Sequence, residues 1–198
     1  MEIFTLVTGV IYIVLEIRQK NFMWVIGILT SVAAMWVFFR QGLYASFGLN
    51  TYYFITAFIG LWQWRKYRDR LTDAKEAASG DSIHLNRLSM KTVAVSLLII
   101  IAGTAALSWG MDALHGLGFL KENPMSLLDA SVAVLSAVAT WWLVRSYLEQ
   151  WWLWIVADTM STVLCVSQGM WWMTVLYAAY TLSAVYGYIH WKRKGIYL

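Results

Sequence analysis

Of the 198 residues, 60% are hydrophobic and 13% are charged, and 13 are tryptophan. A soluble domain carries roughly 45–50% apolar and about 25% charged residues, so a water-facing globule cannot hide this much apolar surface. One proline, one cysteine and few charges exclude collagenous, disulfide-framed and disordered chains, which leaves a polytopic membrane protein.

A membrane-spanning helix needs about 20 mostly apolar residues. Seven stretches qualify, at 3–19, 22–40, 43–64, 92–110, 127–146, 150–167 and 171–191. The first opens directly at the N-terminus, without a basic leader or a small-residue cleavage site, and reads as a span rather than a signal. Most joints are a few residues long, so neighbouring spans form antiparallel hairpins. The polar stretch 67–91, with its DRLTDAKEAASGDS run, reads as a solvated, mobile cytoplasmic loop. The connection 111–126 holds the only proline, Pro124, and reads as an outer loop.

The net charge of +4 does not point to nucleic acid, because the basic residues sit in short runs between apolar stretches. With the N-terminus outside, the inner segments hold Arg18, Lys20, Arg65, Lys66, Arg68, Arg70, Lys75, Arg87, Lys91, Arg145, Lys192, Arg193 and Lys194. Only Arg40 and Lys121 of the 15 fall outside. This bias expects seven spans, an outer N-terminus and a cytoplasmic C-terminus.

Sliding the chain against itself by 127 residues aligns 2–66 with 129–193. Val7, Arg18, Trp24, Ile28, Gln41, Gly42, Leu49, Tyr53, Ala57, Gly60 and Trp64 then meet identical residues, and the span ends coincide. Each half carries three spans, so an odd helix between them is needed to restore the same orientation. The expected architecture is an all-α membrane protein of seven transmembrane helices in a 3+1+3 plan. It divides into a first three-helix repeat (1–66), the loop (67–91), a linker helix (92–110), the outer loop (111–126) and a parallel second repeat (127–193). Transporters built on parallel repeats place their substrate near the midplane, at the repeat interface.

Asn50, Tyr53, Ala57, Gly60 and Trp64 recur at helical spacing on one face of the third span. Tyr177, Tyr180, Ala184, Gly187 and Trp191 form the same face of the seventh. Small residues there read as a packing stripe. Trp64 and Trp191, ahead of basic runs, read as interfacial anchors. The deeper Asn50, Tyr53, Tyr177 and Tyr180 either line a water-filled path or bond to neighbouring helices. Asp158 is the sharpest signal, because an ionisable residue in mid-span is costly and usually faces a cavity or the bundle interior. Trp151, Trp154, Ser161, Thr162 and Cys165 share its face. A carboxylate beside aromatic rings suits a flat organic cation. The competing reading is a protonated Asp158 bonded to a neighbouring helix. Glu16, near the inner end of its span, is expected to pair with Arg18 or Lys20. Gln41-Gly42 and Gln168-Gly169 read as outer turns. No HExxH, P-loop, GxSxG or CxxC is present, so neither an enzyme nor a resident cofactor or metal is expected.

LYASFGLNTYYFITAFIGLWQW (43–64), LLDASVAVLSAVATWWLVRSYLEQWWLWIVADTMS (127–161), the Gln168-Gly169 turn and VYGYIHW (185–191) carry a resemblance over almost the whole chain. The chain resembles the PnuC family of vitamin-precursor transporters. The resemblance implies a fold similar in plan to SWEET sugar exporters and a bacterial inner-membrane location. It also implies facilitated diffusion of nicotinamide riboside, drawn inward by cytoplasmic phosphorylation. Similar members called PnuT take thiamine. Nicotinamide-riboside members tend to carry Gln at the position of Asn50, Asn at that of Ala57 and Asn at that of Asp158, and both vitamins contain a cationic aromatic ring. Asn50, Tyr53, Trp151, Trp154, Asp158, Thr162, Tyr177 and Tyr180 are the expected substrate contacts. The expected partners are a small vitamin and the lipid bilayer, with a homo-oligomer left open. A non-transporting membrane scaffold or subunit is the alternative of another class.

Overall fold

The computed structural model describes residues 11–40, 44–73, 83–118, 125–167 and 169–197. Gln41-Gly42, Pro124 and Gln168 lie outside these residues. Among the described residues the chain is helical almost throughout. Residues 11–17 form α1, followed by α2 (Phe22–Arg40), α3 (Tyr44–Asp73), β1 (Ile83–Leu85), α4 (Met90–Gly116), α5 (Ser126–Val144), α6 (Gln150–Ser167), α7 (Trp171–Lys194) and β2 (Gly195–Tyr197).

The helices outrun their apolar segments where the sequence remains helix-forming. In α3 the charged tail Arg65–Asp73 continues the helix nine residues past Trp64, because Arg, Lys and Leu hold helical geometry at little cost. Similarly, α4 runs to Gly116, into the stretch read above as an outer loop. It begins on an N-cap, with the Ser89 hydroxyl accepting from Lys91 N at 3.3 Å.

Four helix ends turn through a left-handed residue. Gly118 (φ 78°) follows α4 and Gly169 (φ 70°) follows α6, where glycine is the usual choice. The residues after α1 and α5 are Gln19 (φ 48°) and Ser146 (φ 55°), which are not glycine. Lys20 N donates to Leu15 O at 2.8 Å, and Tyr147 N to Trp142 O at 3.1 Å, so both ends close in the six-to-one bond of a Schellman turn.

Within the stretch read as a loop, Ile83–Leu85 is a buried strand rather than solvated chain. It pairs in parallel with Gly195–Tyr197, in the register Ile83 to Gly195, His84 to Ile196 and Leu85 to Tyr197. A Cβ on Gly195 would collide with the Leu85 side chain and the Trp191 carbonyl, so only glycine permits this approach.

The chain divides into two compact units. The first gathers α1 to α3, β1, residues 140–148, and residue 189 onward with β2. Its core holds Met23, Trp24, Ala57, Trp64, Ile83, Leu85, Leu143 and Trp191, all buried. There α2 packs on α3, with the Trp24 and Trp64 rings edge to face at 5.1 Å. The second unit gathers residues 87–139 and 149–188. It buries Ala130, Leu135, Trp151, Ala157, Cys165 and Ala184. Among the described residues two helices, Met90–Gly116 and Ser126–Val144, are long and apolar enough to cross a bilayer. The apolar stretch of α4 is almost entirely unburied. Leu98, Ile101 and Trp109 on α4 are each more than two-thirds exposed, a surface suited to hydrocarbon rather than water.

The expected packing stripe is seen in both units. A Cβ on Gly60 would lie 2.5 Å from the Trp24 ring, and one on Gly187 would lie 2.5 Å from the Trp151 ring. Trp64 and Trp191, by contrast, are not interfacial anchors. They are 3% and 0% exposed, and each donates its indole N–H to a carbonyl at a helix end. Trp64 Nε1 bonds Leu143 O at 3.2 Å, and Trp191 Nε1 bonds Ile17 O at 3.0 Å. Carbonyls in the last turn of a helix lack the usual intrahelical donor, and Leu143 O also accepts from Ser146 N at 2.9 Å.

Candidate functional site

In the second unit the candidate site is built on α6. Helical spacing puts Trp151, Trp154, Asp158 and Thr162 on neighbouring turns of one side. Asp158 is 8% exposed. Its carboxylate makes no hydrogen bond or ion pair among the described residues, so the alternative of an Asp158 bonded to a neighbouring helix gains no support here. Tyr177 and Tyr180 of α7 both lie within electrostatic reach of it. Their rings meet edge to face at 6.0 Å. Trp154 buries its indole N–H without a partner among the described residues.

Not every expected contact faces the same way. The Trp151 ring lies over Gly187, filling the space a side chain would take. Thr162 donates its hydroxyl to the carbonyl of Asp158 at 2.8 Å. Ser161 likewise bonds Ala157 O at 2.8 Å. These hydroxyls satisfy α6 itself, as is common for Ser and Thr in apolar helices.

The first unit holds the other expected residues, Asn50 and Tyr53 of α3, both half-buried. The Tyr53 ring lies 5.7 Å from that of Tyr52. Tyr12 of α1 lies within electrostatic reach of both Glu16 and Tyr53. Glu16 is 4% exposed, so it is a buried member of this polar set.

Sequence reasoning passed over Tyr12 and Ser31. Tyr12 stands four residues before Glu16, one helical turn away, and that spacing was available as a signal. Ser31 faces Asp158 when the chain is shifted by 127 residues, and it too is buried, at 5% exposure. Among the described residues no group of His, Cys, Asp and Glu is placed to hold a metal ion.

A buried carboxylate, an unpaired indole donor and two crossed tyrosine rings can receive a flat, positively charged ring. The carboxylate supplies the counter-charge, and the aromatic faces stack and attract the cation.

Comparison with known proteins gives the same direction. The Nicotinamide mononucleotide transporter family profile matches residues 1–193. A Neisseria mucosa protein named nicotinamide riboside transporter PnuC is 26% identical over 198 residues, spanning 94% of this chain and 70% of its own length. An Escherichia coli K12 protein of the same name is 23% identical over 199 residues, spanning 93% and 82%. The crystal structure of the vitamin B3 transporter PnuC superposes with a TM-score of 0.65 at 22% identity, over 96% of this chain and 79% of that one. That likeness establishes the fold. With the profile covering all but the last five residues, the chain belongs to the nicotinamide mononucleotide transporter family, to which its PnuC-like motifs point.

Proposed function

We propose that the chain takes up nicotinamide riboside across a bacterial inner membrane by facilitated diffusion. The observation that carries this reading is the buried carboxylate of Asp158, without a hydrogen bond or ion pair among the described residues, with Tyr177 and Tyr180 in electrostatic reach and Trp154 one helical turn away. Nicotinamide riboside presents a flat pyridinium ring, which a carboxylate and aromatic faces complement. Relatives named for transport of this compound support the choice of cargo. Trp151 holds the helix spacing behind the site. Thr162 fixes the backbone at Asp158, and Asn50 and Tyr53 supply neutral hydrogen-bonding groups within the first unit.

The architecture proposed for this task is the 3+1+3 plan with parallel repeats, seven spans, an outer N-terminus and a cytoplasmic C-terminus. Support comes from residues that match at a shift of 127. Gly60 and Gly187 each face a tryptophan, Trp64 and Trp191 each bond a helix-end carbonyl, and Gln19 and Ser146 are both left-handed. In this plan no catalytic step occurs, and the cycle consists of binding, rearrangement and release.

Thiamine is the second reading. Its thiazolium is also a flat cation, and the acidic side chain at Asp158 serves it equally. Titration calorimetry of the purified protein with each vitamin decides between them, followed by uptake into vesicles. We expect nicotinamide riboside to bind and enter. Replacing Asp158 by Ala should weaken uptake at least about tenfold, the scale of a lost charge contact. Binding of thiamine alone would replace the cargo, and binding of neither with no uptake would favour a membrane scaffold.

A further inference from the structure

Gln19 and Ser146 occupy the position after a helix where glycine is favoured, yet neither is glycine. The chain does use glycine at the corresponding turns after α4 and α6. A side chain that tolerates left-handed backbone is held there by what surrounds it, and at Gln19 the partners are visible.

The Gln19 amide docks on the backbone of His84. Its Nε2 donates to His84 O at 2.9 Å, and its Oε1 accepts from His84 N at 2.8 Å. The same Nε2 donates to Ser146 Oγ at 3.3 Å. Asn86, two residues on, secures the other side. Its backbone N donates to Ser146 O at 3.1 Å, and its Nδ2 donates to Arg145 O at 2.6 Å. Residues 83–86 therefore lie as a bolt between the C-terminal ends of α1 and α5. On its remaining edge the bolt pairs with β2. The His84 ring stacks on Tyr67 of α3 at 3.9 Å, and Ile83 and Leu85 are 2% and 1% exposed.

We propose that residues 83–86, clamped by Gln19 and Ser146, form a latch that holds the ends of α1 and α5 together and parts when cargo leaves at this face. This rests on the transporter reading, because α1 and α5 are the first helices of the two proposed repeats. The joints are side-chain amides, a hydroxyl and strand-edge bonds, which water can replace one for one when they open. Ile83 and Leu85, buried beside these joints, set the cost of parting through the apolar surface that opening exposes. Arg18 and Arg145, beside the clamp residues, are exposed, so the latch lies at the water-facing end of its unit.

The test places spin labels on cysteines at Arg18 and Arg145 of the full chain, with Cys165→Ser, in vesicles of phosphatidylethanolamine and phosphatidylglycerol. The label separation is read by electron–electron resonance. The parent should show one short separation, and saturating nicotinamide riboside should add a longer one. Gln19→Ala should raise the longer population at least about threefold without cargo. Ser146→Gly keeps the left-handed turn, removes one partner and should shift the population the same way by less. Gln19→Ala and Ser146→Gly distributions that both match the parent would overturn the latch. Failure of uptake by the parent would overturn the transporter reading instead, while the label separations would still report on the clamp.

Discussion

Trp191 Nε1 donates to the carbonyl of Ile17 at 3.0 Å across 174 residues of sequence. Trp64 makes the matching bond to Leu143 O at 3.2 Å. The two rings also meet, 6.3 Å apart. Each indole thus serves a carbonyl in the last turn of a helix, Trp64 as the second donor to Leu143 O beside Ser146 N at 2.9 Å, and each joins segments far apart in the chain. Replacing Trp64 or Trp191 by Phe keeps most of the ring and removes only the donor. Trp191→Phe should cost about 1–3 kcal/mol through the stranded buried Ile17 carbonyl, and Trp64→Phe less, because Leu143 O keeps its bond from Ser146 N. Because the rings touch, the double substitution should depart from additivity. Thermal unfolding in detergent checks both statements, and an unchanged midpoint for both single variants would show that the bonds carry no stability.

The helices were legible because apolar runs of span length admit few other structures. The small-residue stripe and Asp158 were legible because both break the surrounding pattern. The roles of Trp64 and Trp191 were not, since a tryptophan ahead of a basic run suits the membrane interface equally well. What distinguishes the two is their burial with bonds to Leu143 and Ile17 at the ends of α5 and α1, which no local window contains. A three-residue strand such as Ile83–Leu85 carries too little alternation to be read. The left-handed Gln19 has no signature at all, because its side chain finds His84 only after folding.

Gly60 and Gly187 set helix spacing at their two tryptophans. In an open helix, Ala is favoured over Gly by about 1 kcal/mol. At these positions a Cβ would sit 2.5 Å from the Trp24 or Trp151 ring. The added methyl must push a helix or a large ring aside, and we expect Gly60→Ala and Gly187→Ala each to destabilise by about 1–3 kcal/mol. Gly110, with nothing within 4 Å, is the control. Gly110→Ala should leave the unfolding midpoint level or raise it. Equal behaviour of all three variants would remove the packing role of the stripe.

Ile101 on α4 is 68% exposed and near the middle of an apolar helix. If lipid covers this face, Ile101→Arg should hinder insertion by about 2.5–3.5 kcal/mol, the cost of arginine at a span centre. Alkaline extraction of membranes would then release more of the variant than of the parent. A face turned to water would accept arginine without penalty, so equal retention of both proteins would argue that α4 is not lipid-exposed.

Trp154 and Thr162 lie on the same side of α6 as Asp158, but their polar atoms differ. The Trp154 indole N–H is buried and unpartnered among the described residues. A donor in that condition costs free energy, and in the proposed site cargo supplies its bond. Trp154→Phe should therefore weaken cargo binding by about tenfold, one hydrogen bond and part of a stacking face. The Thr162 hydroxyl is already spent on the Asp158 carbonyl. Thr162→Val removes that bond while keeping the shape, so binding should change by no more than about threefold, through a small loss of rigidity at Asp158. Calorimetry on the two variants separates these effects. If Thr162→Val abolished binding while Trp154→Phe left it intact, the cargo would lie nearer Thr162 than Trp154, and the aromatic side of the proposed site would be lost.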